Sequence, residues 1–441
     1  MGFKFLVYSR AFRSVALIFM TLGTPLYLAL LGISIIHIGL VYVGVVSFAA
    51  ILSISLGVLG DRIGYRKSLL LGEIPPLVGA ILLALTDNVG IIIIAVIVAG
   101  ISGLAGGLRG AFSPGMTALV ASNYQDKQVR IRKLATLMAV ASLSSVFGAI
   151  LLLSQSYLLQ YFGELGAFKI LFSVAAVLIL ISFLSILFVG ENERPRKSTR
   201  IMKPESFKHM LRISYLNILN GAGLGIAFPL LPLMFALAFH LPSNVTALYI
   251  GIIYLPSFIA TGIGSYLSNR RHGSIYAART ASRVRITSGV LLGVLAIIMA
   301  IQYYGAPSYA LPLLTAASIV FAARALVAGF GASSVSAMSV MNVHGEDYGT
   351  ATSMQGLFGN LSQASSGLSG FLMEFMLPAP LIAGAILQVI NGIMYSKLFT
   401  HDGAMKTSQH KGGNPTLGKR EESAPASKQS EMQEKERLNP Q

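Results

Sequence analysis

Long apolar runs separated by short charged turns dominate this chain. Twelve runs come close to or exceed the 20 or so apolar residues that cross roughly 30 Å of bilayer hydrocarbon. They lie at 14–36, 38–59, 68–86, 90–120, 134–155, 166–189, 213–239, 245–267, 286–304, 308–340, 350–373 and 379–399. The runs are continuous rather than alternating, which fits helices and not the short alternating strands of a membrane barrel. The expected fold class is therefore an all-α integral membrane protein with twelve transmembrane helices. Spans 4 and 10 are too long for a straight crossing, so they should tilt or bend. Span 1 lacks a small-x-small cleavage site and is expected to be retained rather than cleaved as a signal.

Composition agrees with this pattern. Only 11% of residues are charged, against about 25% in ordinary soluble domains, so lipid must cover much of the outside. The net charge of +16 would suggest a nucleic-acid partner in a soluble protein, but its placement gives a different answer. With the N-terminus inside, 30 of the 33 Lys and Arg residues fall in inner segments and Lys169 alone falls in an outer one. The positive-inside rule then places both termini in the cytoplasm and the protein in the cell membrane. No cysteine is present, which excludes disulfides, thiolate metal sites and a cysteine nucleophile. Beyond Thr400 the chain is polar and cannot bury enough apolar surface to fold alone. The stretch Gly413–Arg420 has phosphate-loop spacing, but Arg420 replaces the Ser or Thr and no strand precedes it, so a nucleotide site is not expected.

Gly57-Val-Leu-Gly-Asp-Arg-Ile-Gly-Tyr-Arg-Lys67 joins spans 2 and 3. A worn copy, Leu267-Ser-Asn269-Arg270, follows 208 residues after Leu59, Asp61 and Arg62. Prolines also recur in the corresponding first spans, Pro25 in span 1 and Pro229 and Pro232 in span 7. The first segment resembles the signature loop of the major facilitator superfamily, with Gly57, Leu59, Asp61, Arg62, Gly64, Arg66 and Lys67 in register. That resemblance implies a monomeric secondary transporter built from two pseudo-symmetric six-helix halves, here 1–189 and 213–399. They would be joined by a linker at 190–212 and followed by a disordered tail at 400–441. It implies alternating access around a midplane site for a small-molecule solute, with no cofactor and no metal. Gly57, Gly60, Asp61, Arg62, Gly64, Arg66 and Lys67 become the candidate gating set. Asp61 would latch onto the start of helix 11 near Gly345–Thr350, as the equivalent acid does in proteins this chain resembles.

Arg109 and Arg324 lie well inside spans 4 and 10, which line the cavity in the resembled superfamily. A charge at mid-depth costs at least about 2.5–3.5 kcal/mol, so each needs a partner. A substrate anion is one candidate; backbone carbonyls or snorkelling to the surface are the others. Glu73, the one acid within a predicted span, is a candidate coupling residue or a structural acid that meets Lys67 or water. His37 and His240 are read as wet helix ends. Asn217, Asn220, Gln355, Asn360 and Gln363 are read mainly as packing contacts. The leading expectation is a permease for an anionic organic or inorganic solute. A proton-coupled drug exporter is the alternative, opposed by the two arginines and by a proline-free span 5. A non-transporting sensor is a further rival, and an intramembrane enzyme lacks the paired acids or metal set it would need.

Topology is testable because the chain has no native cysteine. Single cysteines placed in loops 241–244 and 374–378 should react with an impermeant maleimide on intact cells. Cysteines near 200 and 410 should react only after permeabilisation; the reverse pattern would overturn the orientation.

Overall fold

The computed structural model describes residues 2–100, 112–124, 127–191, 204–269, 274–305, 310–340, 358–359 and 361–411. Side chains at some positions within these ranges, Asp61 among them, lie outside the described set. The described elements are helical. They are α1 (Phe3–Leu30), α2 (Ile35–Ile63), α3 (Tyr65–Leu85), α4 (Val89–Ala99), α5 (Phe112–Asn123), α6 (Lys127–Leu153) and α7 (Gln155–Leu187). The second series is α8 (Pro204–Ala227), α9 (Leu231–Ala238), α10 (Ser243–Asn269), α11 (Ser274–Tyr304), α12 (Ala310–Val340), α13 (Ser366–Phe375) and α14 (Ala379–Lys411). Nine spans among the described residues are long and apolar enough to cross a membrane, and the apolar parts of α4 and α6 are shorter. The order matches the twelve expected spans, with two of them seen in pieces.

Local chemistry sets several boundaries. Ser34 opens α2 by accepting from the His37 amide, and Asn88 opens α4 by accepting from the Gly90 and Ile91 amides, as N-caps do. Span 7 breaks into α8 and α9 at Phe228–Leu230, because Pro229 has no amide to donate and its ring crowds the preceding turn. Helix α7 bends at Gly163, whose φ of 71° suits glycine. The turn before the bend exposes Tyr157, Tyr161 and Phe162, rings suited to a membrane–water boundary.

Several boundaries differ from expectation, and α14 runs on to Lys411, into the segment 400–441 expected to be a disordered tail. Span 1 runs from Phe3 to Leu30 rather than 14–36, and α11 begins at Ser274 rather than 286. Hydropathy stops at a basic residue, whereas a helix stops only where capping or backbone geometry ends it. Arg10 and Arg13 therefore sit inside α1 and are buried, not in a solvated leader.

Helix α1 packs on α6 and α7, α3 on α4 and α7, and α10 and α11 on α12. Contacts between the α1–α7 and α8–α14 series run through α6–α10, α2–α13, α7–α10 and α1–α9. The largest buried apolar cluster draws on both series and includes Phe19, Tyr42, Phe172, Phe235, Tyr254 and Met299. It occupies the end of the bundle away from the basic turns. At the basic end two smaller clusters each belong to one series: Leu6, Leu69, Met116 and Ile186 in the first, and Ile213, Leu216, Ala281 and Tyr395 in the second.

The α2–α13 seam is a close backbone approach. A Cβ at Gly370 would fall 2.4 Å from the Ile35 carbonyl oxygen, and one at Gly39 would fall 3.1 Å from the Gly370 backbone. At the same end Ser243 on α10 donates to Glu164 on α7 at 2.5 Å. Replacing Gly370→Ala should force the seam apart at a cost of about 1–3 kcal/mol to this conformation. A Val43→Cys label site, which packs on Gly367, should then become more reactive to a water-soluble maleimide. The control Gly293→Ala, whose Cβ would meet its nearest atom at 4.0 Å, should leave that reactivity unchanged.

Candidate functional site

The turn between α2 and α3 pivots on Gly64, with φ 110° and ψ 144°. Its neighbours Tyr65 and Arg66 present backbone amides that open α3, and both donate to the Glu191 carboxylate at 2.8 and 2.9 Å. A carboxylate at a helix N-terminus satisfies orphan amides and meets the positive end of the helix dipole. The Arg66 guanidinium also donates to the Leu187 carbonyl. The turn is thus tied to the end of α7 at two points. Gly57 and Asp61 lie on the last turns of α2, and Gly60 packs beneath the Tyr65 ring. Arg62 and Lys67 are exposed. The expected Asp61 latch lies outside the described residues at both ends: the Asp61 side chain and residues 345–350. Sequence reasoning missed Glu191. The available signal was an acid directly after span 6, at the head of an otherwise strongly basic segment.

Glu73 on α3 is fully buried, and its partners are Arg13 and Ser182 rather than Lys67. Arg13 Nη1 donates to Oε2 at 2.5 Å, and Ser182 Oγ on α7 donates to Oε1 at 2.9 Å. Ser9 Oγ lies 2.9 Å from Ser182 Oγ, and buried Arg10 lies close enough for its charge to act on Glu73. One carboxylate therefore joins α1, α3 and α7. The second series uses amides in the corresponding region. Gln388 donates to Asn220 at 3.0 Å, Asn391 to the Leu216 carbonyl at 2.6 Å, and Ser282 to the Gly392 carbonyl at 2.7 Å.

Arg324 sits on α12, 14 residues from its start at Ala310, or roughly 21 Å at 1.5 Å per residue. Its Nε donates to Ser288 Oγ on α11 at 3.2 Å, and its guanidinium carbon lies 4.1 Å from the centroid of the Phe228 ring. Phe228 occupies that place because Pro229 interrupts span 7 there. One turn back on α12, Phe321 meets Tyr254 of α10 edge-on at 4.9 Å and Phe235 of α9 at 6.1 Å. A broken helix beside a charge at mid-depth is the arrangement that midplane solute sites of transporters use. Arg109, Gln355 and Asn360 lie outside the described residues. His37 and His240 lie at helix ends. Ser34 Oγ is 2.6 Å from His37 Nδ1, and His240 stacks on Tyr303.

These features define a multi-pass helical membrane protein with a polar site set among helices α8–α12. The family model of the Major Facilitator Superfamily matches residues 5–367, and the chain belongs to that superfamily, whose members are secondary transporters of small solutes. No curated protein sequence matches it. Among solved structures, the nucleoside transporter NupG superposes with a TM-score of 0.65 at 14% identity, covering 90% of this chain and 100% of NupG. The human organic anion transporter MFSD10 (TETRAN) gives 0.62 at 14% identity, with the same coverage of 90% and 100%. At that identity the likeness speaks to the fold alone.

Breaking the buried ion pair from one side leaves an uncompensated charge, which costs about 3–5 kcal/mol, whereas replacing both partners by apolar residues is near neutral. Glu73→Gln should therefore lower thermal stability in detergent markedly. The double variant Arg13→Met/Glu73→Met should recover most of the loss. Equal damage in both would show that the pair does not act as a unit.

Proposed function

We propose that this chain is a secondary transporter of a small anionic organic solute, cycling by alternating access between halves 1–189 and 213–399. The observation that carries this reading is Arg324 at mid-depth. Two of its partners, the Ser288 hydroxyl and the Phe228 ring, are neutral and orient the guanidinium. The cation–π contact with Phe228 contributes about 0.5–2 kcal/mol, and a carboxylate would add a charge-assisted, two-point contact.

In this proposal the apolar cluster shared by both series seals one end, and the separate clusters at the basic end mark the open side. With both termini in the cytoplasm of a cell-membrane protein, that state faces inward. The linker 190–212 joins the halves, and lipid surrounds a monomer. Asp61 latches the inner gate in the opposite state, and Arg109 is the first-half counterpart of Arg324. Both oxygens of Glu73 are occupied, so we favour a structural role for it over proton coupling. The alternative of a proton-coupled exporter would require Glu73 to release Arg13 during the cycle.

Arg324→Lys should impair anion binding and Arg324→Gln should impair it further, because both charge and fork geometry matter. The loss for Gln should reach about 1.5–3 kcal/mol. Binding of a panel of organic anions and their methyl esters, measured beside thermal stability on the same preparations, checks this. A stable Arg324→Gln protein that binds anions as wild type does would move the reading to neutral or cationic solutes.

A further inference from the structure

Two seams join the series at the end away from the basic turns. In the α2–α13 seam, a Cβ at Gly39 would fall 3.1 Å from the Gly370 backbone and 3.2 Å from the Gly367 carbonyl oxygen. In the α6–α10 seam, a Cβ at Gly251 would fall 2.6 Å from the Leu153 side chain and 3.0 Å from the Ala149 carbonyl oxygen. About three turns further along α10 the contact has loosened, and a Cβ at Gly262 would meet its nearest atom, in Ser142, at 3.8 Å. Polar side chains are shut in beside both seams. Ser366 and Ser369, which flank Gly367 on α13, are fully buried, and neither hydroxyl has a hydrogen-bond partner among the described residues. Gln155, which closely follows Leu153, is 1% exposed, and both its Nε2 and its Oε1 lack such a partner.

The backbone explains why the serines are left so. A helical serine can donate to the carbonyl one turn back, as Ser145, Ser185 and Ser318 do here. For Ser366 and Ser369 those carbonyls belong to Ser362 and Ser365, which lie in a 3-10 turn, Ser362–Ser365, inside span 11. A tighter turn aims its carbonyls differently. The turn is held on α8 by the Ser365 hydroxyl, which donates to the Ala222 carbonyl at 2.9 Å. A polar group buried without a partner is costly, and native interiors hold few of them.

We propose that Ser366, Ser369 and Gln155 bias the closed seams to reopen, as polar groups that closure dries and outward opening returns to water. The inference rests on the alternating-access reading and is independent of the charge of the solute. Close glycine contacts hold the seams shut, and unmet hydrogen bonds oppose them. The closed and open states therefore stay near in free energy, and neither traps the protein. Because the two seams lie between the same two rigid bodies, a change at one alters how often the other opens.

The test uses the full chain in detergent, with Val43→Cys in the α2–α13 seam as the reporter and a water-soluble maleimide as the probe. In that background Ser366→Ala/Ser369→Ala and Gln155→Met should each slow labelling about 10-fold, the effect of relieving one or two unmet hydrogen-bonding groups in the closed state. Both should melt at or above the temperature of the reporter protein. The control Ser145→Ala removes a buried hydroxyl that bonds the Ala141 carbonyl and should leave the labelling rate unchanged. Gln155→Met is the sharper variant, because its residue lies beside the other seam and reaches the reporter only through joint opening. An unchanged or faster rate in either variant overturns the role of the residues it replaces. A clear drop in melting temperature does the same, since it assigns the side chain a bond in the closed state. If the reporter reacts but none of the variants slows it, the opening bias fails and alternating access stands. If the reporter reacts only in the unfolded chain, the seams do not open, and the alternating-access reading fails together with this proposal.

Discussion

Apolar helices gain little by meeting one another in lipid, because the tails they leave are as apolar as the side chains they find. Whatever brings such helices together must come from close packing or from polar groups that cannot be left in hydrocarbon. This chain uses both, in different places. At the end away from the basic turns, glycines let α2 and α13 approach to backbone contact. Nearer the basic turns, polar bonds do the joining: Glu73 with Arg13 and Ser182 in the first series, and Gln388, Asn220 and Asn391 in the second.

The two means of attachment have different consequences for motion. A glycine seam is held by many shallow contacts and can part as a unit, since no buried charge is stranded when it opens. A buried carboxylate locked to a guanidinium cannot be separated without exposing two charges to a poor solvent. The ion pair joins α1, α3 and α7, all within the first series, whereas the glycine seam joins one series to the other. Rigid bodies linked by a yielding seam are what alternating access requires. Glu191 fits the same logic, because it ties the turn at Gly64 to the end of α7 in its own series.

The proposed site is placed by one local accident of the chain. Pro229 interrupts span 7, the interruption puts Phe228 beneath Arg324, and Arg324 is thereby held toward the interior among α8–α12 rather than along the lipid face. An arginine at that depth is tolerable only where neighbours supply polarity, and Ser288 supplies part of it. The ring of Tyr254 meets Phe321 one turn back on α12, which brings its phenol within electrostatic reach of the same charge.

Hydropathy alone determined the helical class, the approximate spans and their order, because a lipid environment demands about 20 apolar residues per crossing regardless of tertiary detail. The turn at Gly57–Lys67 was equally legible, since its charges and glycines are adjacent in sequence. Arg324 stood out because a lone charge in an apolar run is conspicuous. What the sequence could not give was any pairing between residues distant along the chain. Glu73 and Arg13 lie 60 residues apart, and Glu191 and Arg66 lie 125 apart. The true start of α1 was hidden for the same reason: Arg10 and Arg13 look like a solvated leader until Glu73 is brought beside them. Tyr254 reads as an ordinary apolar-run tyrosine, and only the packing of α10 on α12 sets its ring against Phe321. Water penalises a charge or a hydroxyl wherever it is buried, but only the folded chain decides which partner answers it.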